Sequence, residues 1–175
     1  EENEHREIEL IINGDFFDFL AIPYVKFFDD QYWSEKSALE KLKVAIHAHQ
    51  KVIDALVRFA TQRKKKLVYI IGNHDAEMLF ESLQTHFLSL FPESVRQNVL
   101  IIGPEQTEYS PTPEICIRHG HEIEHAHAYM AKAVIIKDAK NENYFLPPWG
   151  SYYVLRVVNR FKEEMPKNER KQNRK

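Results

Sequence analysis

An α/β fold is predicted by three features of the sequence. Runs of β-branched and aliphatic residues from Glu7 to Ile12 and from Leu67 to Ile71 read as buried strands. A long amphipathic stretch separates them, giving the alternation of strand and helix that implies an α/β core. Each strand then runs directly into a glycine-led string of metal-binding residue types, Gly14-Asp15-Phe16-Phe17-Asp18 and Gly72-Asn73-His74-Asp75. Such sheets gather ligands in the crevice beyond the carboxyl ends of their strands.

The elements follow in order. Asn13-Gly14 ends the first strand, and residues 16–30 are aromatic and irregular, interrupted by Pro23. A helix is expected from about Ser34 or Ser37 to about Gln62, with Ser37 and Glu40 as a capping box. Its stripe is Leu39, Leu42, Ile46, His49, Ile53, Leu56 and Ala60. Residues 63–66 are all basic and suit the negative end of that helix. Ala76 to Phe91 reads as helix, stopped by Pro92, and Val99 to Ile102 as a short strand. Glu105 to Ser110 and Glu114 to Arg118 read as further strands, the second leading into His119-Gly120-His121. Helix is favoured over residues 122–140. Pro147 to Gly150 forms a rigid loop, and Ser151 caps a last helix with the stripe Val154, Val157, Val158 and Phe161.

At 175 residues the chain suits one domain, expected over 1–165, with 166–175 a basic, disordered tail. A net charge of −2 implies no bulk attraction to nucleic acid or membrane. Acids crowd residues 1–30, where nine face two bases. The single Cys116 excludes an internal disulfide and suits a reducing, cytoplasmic compartment. No run of about eighteen apolar residues occurs, so no membrane span is expected. The chain opens almost directly on a strand and reads as a piece of a longer one.

Asp15, behind Gly14, is a candidate carboxylate to bridge two metals about 3.5–4 Å apart. Asp18 is a candidate to orient a ligand by hydrogen bonding. The Asn73 amide oxygen can bind a metal without adding negative charge. That leaves His74 as a cationic partner or general acid, with Asp75 to orient its ring. His119, on a strand end, offers an imidazole suited to a first-row divalent ion, and His121 stands beside it or faces substrate.

Asp15, Asn73, His74 and His119, in this order and each at a strand end, resemble the calcineurin-like metallophosphoesterase superfamily over residues 7–125. The resemblance implies a metallophosphoesterase-type βαβ sandwich, incomplete in this chain. It also implies two divalent ions (Mn, Fe, Zn, Mg or Ni). Asp15 would bridge them, Asn73 and His119 would bind the second, and His74 would assist the leaving group. The implied reaction is hydrolysis of a phosphomonoester or phosphodiester by a hydroxide activated between the ions. His-Gly-His and the Pro/Trp/Gly loop before the last helix are similar to bacterial enzymes such as UDP-diacylglucosamine hydrolases. The family's opening Asp-x-His and closing Gly-His-x-His have no counterpart here, which leaves the first metal with Asp15 alone. His125-Ala126-His127 is a shifted candidate for the closing pair.

Two other readings compete. His121-Glu122-Ile123-Glu124-His125 satisfies H-E-x-x-H, which on a helix would hold zinc with Glu122 as base, as in a metalloprotease. It leaves both glycine-led strings unexplained. A chain without the flanking ligands could instead be a non-catalytic metal-binding or interaction domain. Trp149, Tyr152 and Tyr153 read as packing for the last helix or as lining for a substrate pocket, and residues 16–33 as a lid. The phosphorylated substrate and the oligomeric state are open.

Overall fold

A computed structural model describes residues 6–22, 29–103, 106–129 and 134–164. Strands β1 (Ile8–Asn13), β2 (Lys65–Ile70) and β3 (Val99–Ile102) form a parallel sheet in that spatial order. β1 pairs with β2 from Ile8 opposite Lys65 to Asn13 opposite Ile70. Because the pairing is parallel, both strands end on the same edge of the sheet. Gly14 and Gly72 therefore lead their strings out side by side.

Side chains alternate across a strand, and β2 shows the consequence. Leu67, Tyr69 and Ile71 join the larger core beneath the helices. Val68 and Ile70 face the opposite way, onto Ile102, Tyr109 and Ile117. β4 (Glu108–Thr112) and β5 (Ile115–Arg118) form an antiparallel hairpin that supplies Tyr109 and Ile117. The result is a helical layer, a parallel sheet and a covering hairpin. The mixed α/β class expected from the sequence is found, with parallel and antiparallel pairing. The strand carrying His119 is in this hairpin and not in the parallel sheet. β4 begins later than expected and continues through Pro111, which is tolerated because the register shifts between Tyr109 and Thr112.

The single long helix of the sequence reading is two. α1 (Glu35–Ala48) and α2 (Gln50–Ala60) meet at His49, whose φ of −119° and ψ of 31° break the helical path. His49 is exposed there, not part of the apolar stripe. The cap of α1 is Ser34, whose hydroxyl accepts from Ser37 N–H at 3.2 Å. Ser37 itself is buried in the first turn. The stretch after β2 is likewise divided, into a 3₁₀ turn (Ala76–Leu79) and α3 (Glu81–Ser89). Phe17, Phe87 and Tyr69 meet edge to face between α3 and the sheet, at 5.8–6.3 Å between ring centroids. Lys41 of α1 is fully buried, 2.9 Å from Glu77 and 3.6 Å from the Tyr32 ring centroid.

The helix expected over 122–140 does not form in the described part. A 3₁₀ turn (His121–Ile123) is followed by turns to His127, then by β6 (Ile135–Lys137). β6 pairs with β7 (Asn143–Phe145). The last helix starts three residues early, with Pro148 and not Ser151 at its N-cap. It runs as α4 (Trp149–Tyr153), a π-helical stretch (Val154–Asn159) and α5 (Arg160–Glu164). Its buried positions are Gly150, Ser151, Leu155 and Asn159, while Val157 and Phe161 of the expected stripe face outward. The wider π winding changes the phase of the helix, so a 3.6-residue period misassigns its inner face. The basic tail and the middle of the proposed lid, residues 23–28 of 16–33, lie outside the described residues.

Candidate functional site

Three elements bring their ends together. Gly14 (φ 78°) and Asp15 (φ 52°) turn the chain sharply after β1, in a region that glycine and, less readily, aspartate occupy. The turn carries the Asp15 carboxylate back over the start of the second string, where Oδ1 accepts from His74 N–H at 2.9 Å. On the hairpin side, Asn13 Nδ2 donates to Arg118 O at 3.0 Å, tying the end of β5 to the end of β1. His119 then lies over Gly14, with Nδ1 2.7 Å from Asn13 O.

That last contact sets the tautomer. A carbonyl oxygen only accepts, so His119 Nδ1 carries the hydrogen. In the neutral ring, Nε2 then presents a lone pair. It lies 3.1 Å from Asn73 Oδ1 and 3.4 Å from Asp15 Oδ1. Three electron-rich atoms from three distant segments thus face one another, an arrangement that a cation between them relieves. Two ligands about 2.1 Å from an ion and about 90–110° apart stand about 3.0–3.4 Å from each other. The two separations from His119 Nε2 fall in that range, so Asp15, Asn73 and His119 suit one divalent ion. Among the described residues no group of three or more His, Cys, Asp or Glu side chains gathers as a metal site. The convergence depends on the Asn73 amide.

His74 stands beside it and is half-buried. Its Nδ1 lies 3.0 Å from Asp18 Oδ1. The Asp18 hydrogen bond is the main reason its pKa is raised, against a smaller opposing effect of burial and with help from Asp15. The ring is thus held by Asp18, not by Asp75 as the sequence suggested.

Asp75 is fully buried and does something else. One carboxylate oxygen accepts from Phe16 N–H at 2.9 Å and from the Tyr69 hydroxyl, and the other from Gly72 N–H. It fastens the first string to the second. Burial pushes its pKa up to about 6, in spite of those three donors.

His121 is buried on the other side of His119, with 5.5 Å between ring centroids. It stacks on Tyr129 at 4.5 Å, and Tyr129 donates to Gly72 O at 3.2 Å. Both ring nitrogens of His121 and both carboxylate oxygens of Glu122 are buried without a hydrogen-bond partner, the two groups standing 3.7 Å apart. Buried polar atoms of this kind signal a missing partner, such as a water or an ion. Burial lowers the His121 pKa. Tyr129 had no sequence signal; its role follows from stacking alone.

H-E-x-x-H is not on a helix here. His121 is buried in a 3₁₀ turn whereas His125 is exposed, so the two do not share a face. A cavity of about 740 Å³, lined by Glu35, Leu39, Phe80, Thr85 and His86 among others, includes no residue of either glycine-led string. No protein-family model, curated protein or solved structure matches the chain.

Proposed function

We propose that this chain carries a metallophosphoesterase site that hydrolyses a phosphomonoester or phosphodiester. The observation that carries the reading is the approach of Asn73 Oδ1 and Asp15 Oδ1 to 3.1 and 3.4 Å from His119 Nε2. These three would hold a divalent ion (Mn, Fe, Zn, Mg or Ni). A second ion would share Asp15. When bound, such ions supply Lewis-acid activation of water and neutralise charge on the phosphoryl oxygens.

The other residues have distinct work. Asp18 favours the protonated form of His74 by accepting from Nδ1, which leaves Nε2–H to donate to the departing oxygen. Asp15 fixes the same loop through His74 N–H. Asp75 holds Gly72 and Phe16, so the two strings keep their spacing. Asn13 O holds the His119 ring with Nε2 facing the convergence.

The reading is tested by titrating the protein with Mn²⁺ by calorimetry and by assaying p-nitrophenyl and bis-p-nitrophenyl phosphate. Asp15→Ala, Asn73→Ala and His119→Ala should each weaken Mn²⁺ binding at least about tenfold and abolish hydrolysis. His74→Ala should lower turnover by about 10²–10⁴ while Mn²⁺ still binds. Mn²⁺ binding indifferent to all three ligand substitutions would overturn it.

A further inference from the structure

We propose that the helix over residues 149–164 docks flat on an anionic lipid surface through the row Trp149, Tyr153, Val157 and Phe161. These four side chains are exposed by 68, 46, 48 and 60%. Trp149 and Tyr153 stack on each other at 5.3 Å between centroids and 19° between planes. Large apolar groups that stack in water, in line with two more, form a patch of the kind that marks an interaction site.

The row is straight because of the mixed winding. In α geometry four residues overshoot one turn. In the wider π stretch four residues fall short of one. The two drifts offset over Trp149 to Phe161, so the apolar side chains lie along the axis and do not spiral round it. The opposite face is occupied. Ser151, Leu155 and Asn159 are buried, Asn159 Nδ2 donates to Leu20 O at 2.8 Å, and Gly150 N–H donates to Ala126 O at 2.7 Å. The row therefore points away from the body.

Charge selects the occupant. Residues 149–175 hold eight Lys and Arg against three Glu, a net +5, whereas the whole chain carries −2. The first 148 residues thus carry −7, and the net positive charge of the chain belongs to the stretch of sequence that holds this helix and the residues after it. Aromatic and aliphatic groups on one face of a helix, with bases nearby, suit the headgroup–acyl boundary of a membrane with anionic lipids. Val157 at the centre of the row favours lipid over nucleic acid, since it offers no ring on which a base could stack. No helix among the described residues is long and apolar enough to cross a membrane, and docking needs none.

Tryptophan fluorescence and vesicle co-sedimentation test the inference. Trp33 is buried, so a spectral change reports on Trp149. The full chain is mixed with vesicles of phosphatidylcholine alone or of equal parts phosphatidylcholine and phosphatidylglycerol. Emission should shift to the blue with the anionic vesicles, and partitioning should exceed that on neutral ones at least about tenfold. It should weaken as ionic strength rises from about 0.1 M to about 1 M. Trp149→Ser with Phe161→Ser should cut sedimentation about tenfold or more while circular dichroism stays native. Phe161→Ser alone, which keeps the reporter, should also weaken it. Equal sedimentation of wild type and variants, or none with anionic vesicles, overturns the proposal. So does a row-dependent dimer in the absence of vesicles, or row-dependent binding of a single-stranded oligonucleotide in place of lipid.

Discussion

The imidazole of His119 fills the space that a side chain on Gly14 would need. A Cβ at position 14 would stand 2.1 Å from His119 Nδ1. The same relation recurs between Gly72 and Asp15, where a Cβ would stand 2.4 Å from Oδ1 and 2.6 Å from the backbone nitrogen. Each glycine thus admits a site residue delivered by another segment.

Gly72→Ala is therefore expected to damage the site more than the fold. The clash includes Asp15 backbone, which cannot rotate away, so the β1 turn must move. A cost of about 1–3 kcal/mol in stability is expected. Calorimetry should show Mn²⁺ binding weakened at least about tenfold, since ligand geometry must hold to within about 0.5 Å.

Asp18→Asn should change the pH profile of hydrolysis. Asp18 raises the His74 pKa in the folded protein. A proton donor is competent below its pKa, so removing Asp18 should bring the alkaline loss of activity to lower pH. Stability has the same sign. The His74–Asp18 contribution is complete below the unfolded histidine value of about 6.5 and is lost as pH rises through the raised folded value. Rate–pH curves for both proteins, together with melting curves, measure the shift.

Asp75 predicts the opposite use of a carboxylate. Its folded pKa of about 6 lies above its ordinary value of 3.8. Between those values the native state binds more protons than the unfolded state, so this residue's contribution falls as pH rises from about 4 to about 6. Asp75→Asn should remove that slope. It should also lower stability by about 1–3 kcal/mol, because an amide nitrogen would face a backbone donor. Urea midpoints at pH 4, 5, 6 and 7 (roughly spanning both titrations) separate the two effects.

Lys41 and Glu77 form a buried pair within the helical layer. Lys41→Met alone should cost about 3–5 kcal/mol by leaving the Glu77 carboxylate unpaired, whereas Lys41→Met with Glu77→Leu should recover most of it. Burial lowers the Lys41 pKa although Glu77 opposes the shift, which is why the charge survives only as half of a pair. A denaturation cycle over the two positions gives the coupling.

Much of the frame was legible in the residues. β1 and β2 stand out because β-branched runs end abruptly at Gly14 and Gly72, with a helical stretch between them. The meeting of His119 with Asn73 was not legible. It depends on a hairpin laid over the sheet and on Asn13 binding Arg118 across 105 positions of chain. The break at His49 and the reversed phase of the last helix were also hidden, because local periodicity does not report where packing interrupts or rewinds a helix. The partner of His74 was misjudged for a related reason. Asp75 is its neighbour in sequence, but Tyr69 and two backbone N–H groups compete for that carboxylate and win it.

Local order along the chain, set by which side chains avoid water and which bend the backbone, determined where strands end and which donor atoms follow them. Tertiary structure alone decided that Asp15, Asn73 and His119 point at one another, because direction and distance between remote segments come from strand register and layer packing. Three such atoms held so close need a cation or a ring proton among them, and that requirement is a property of the folded arrangement.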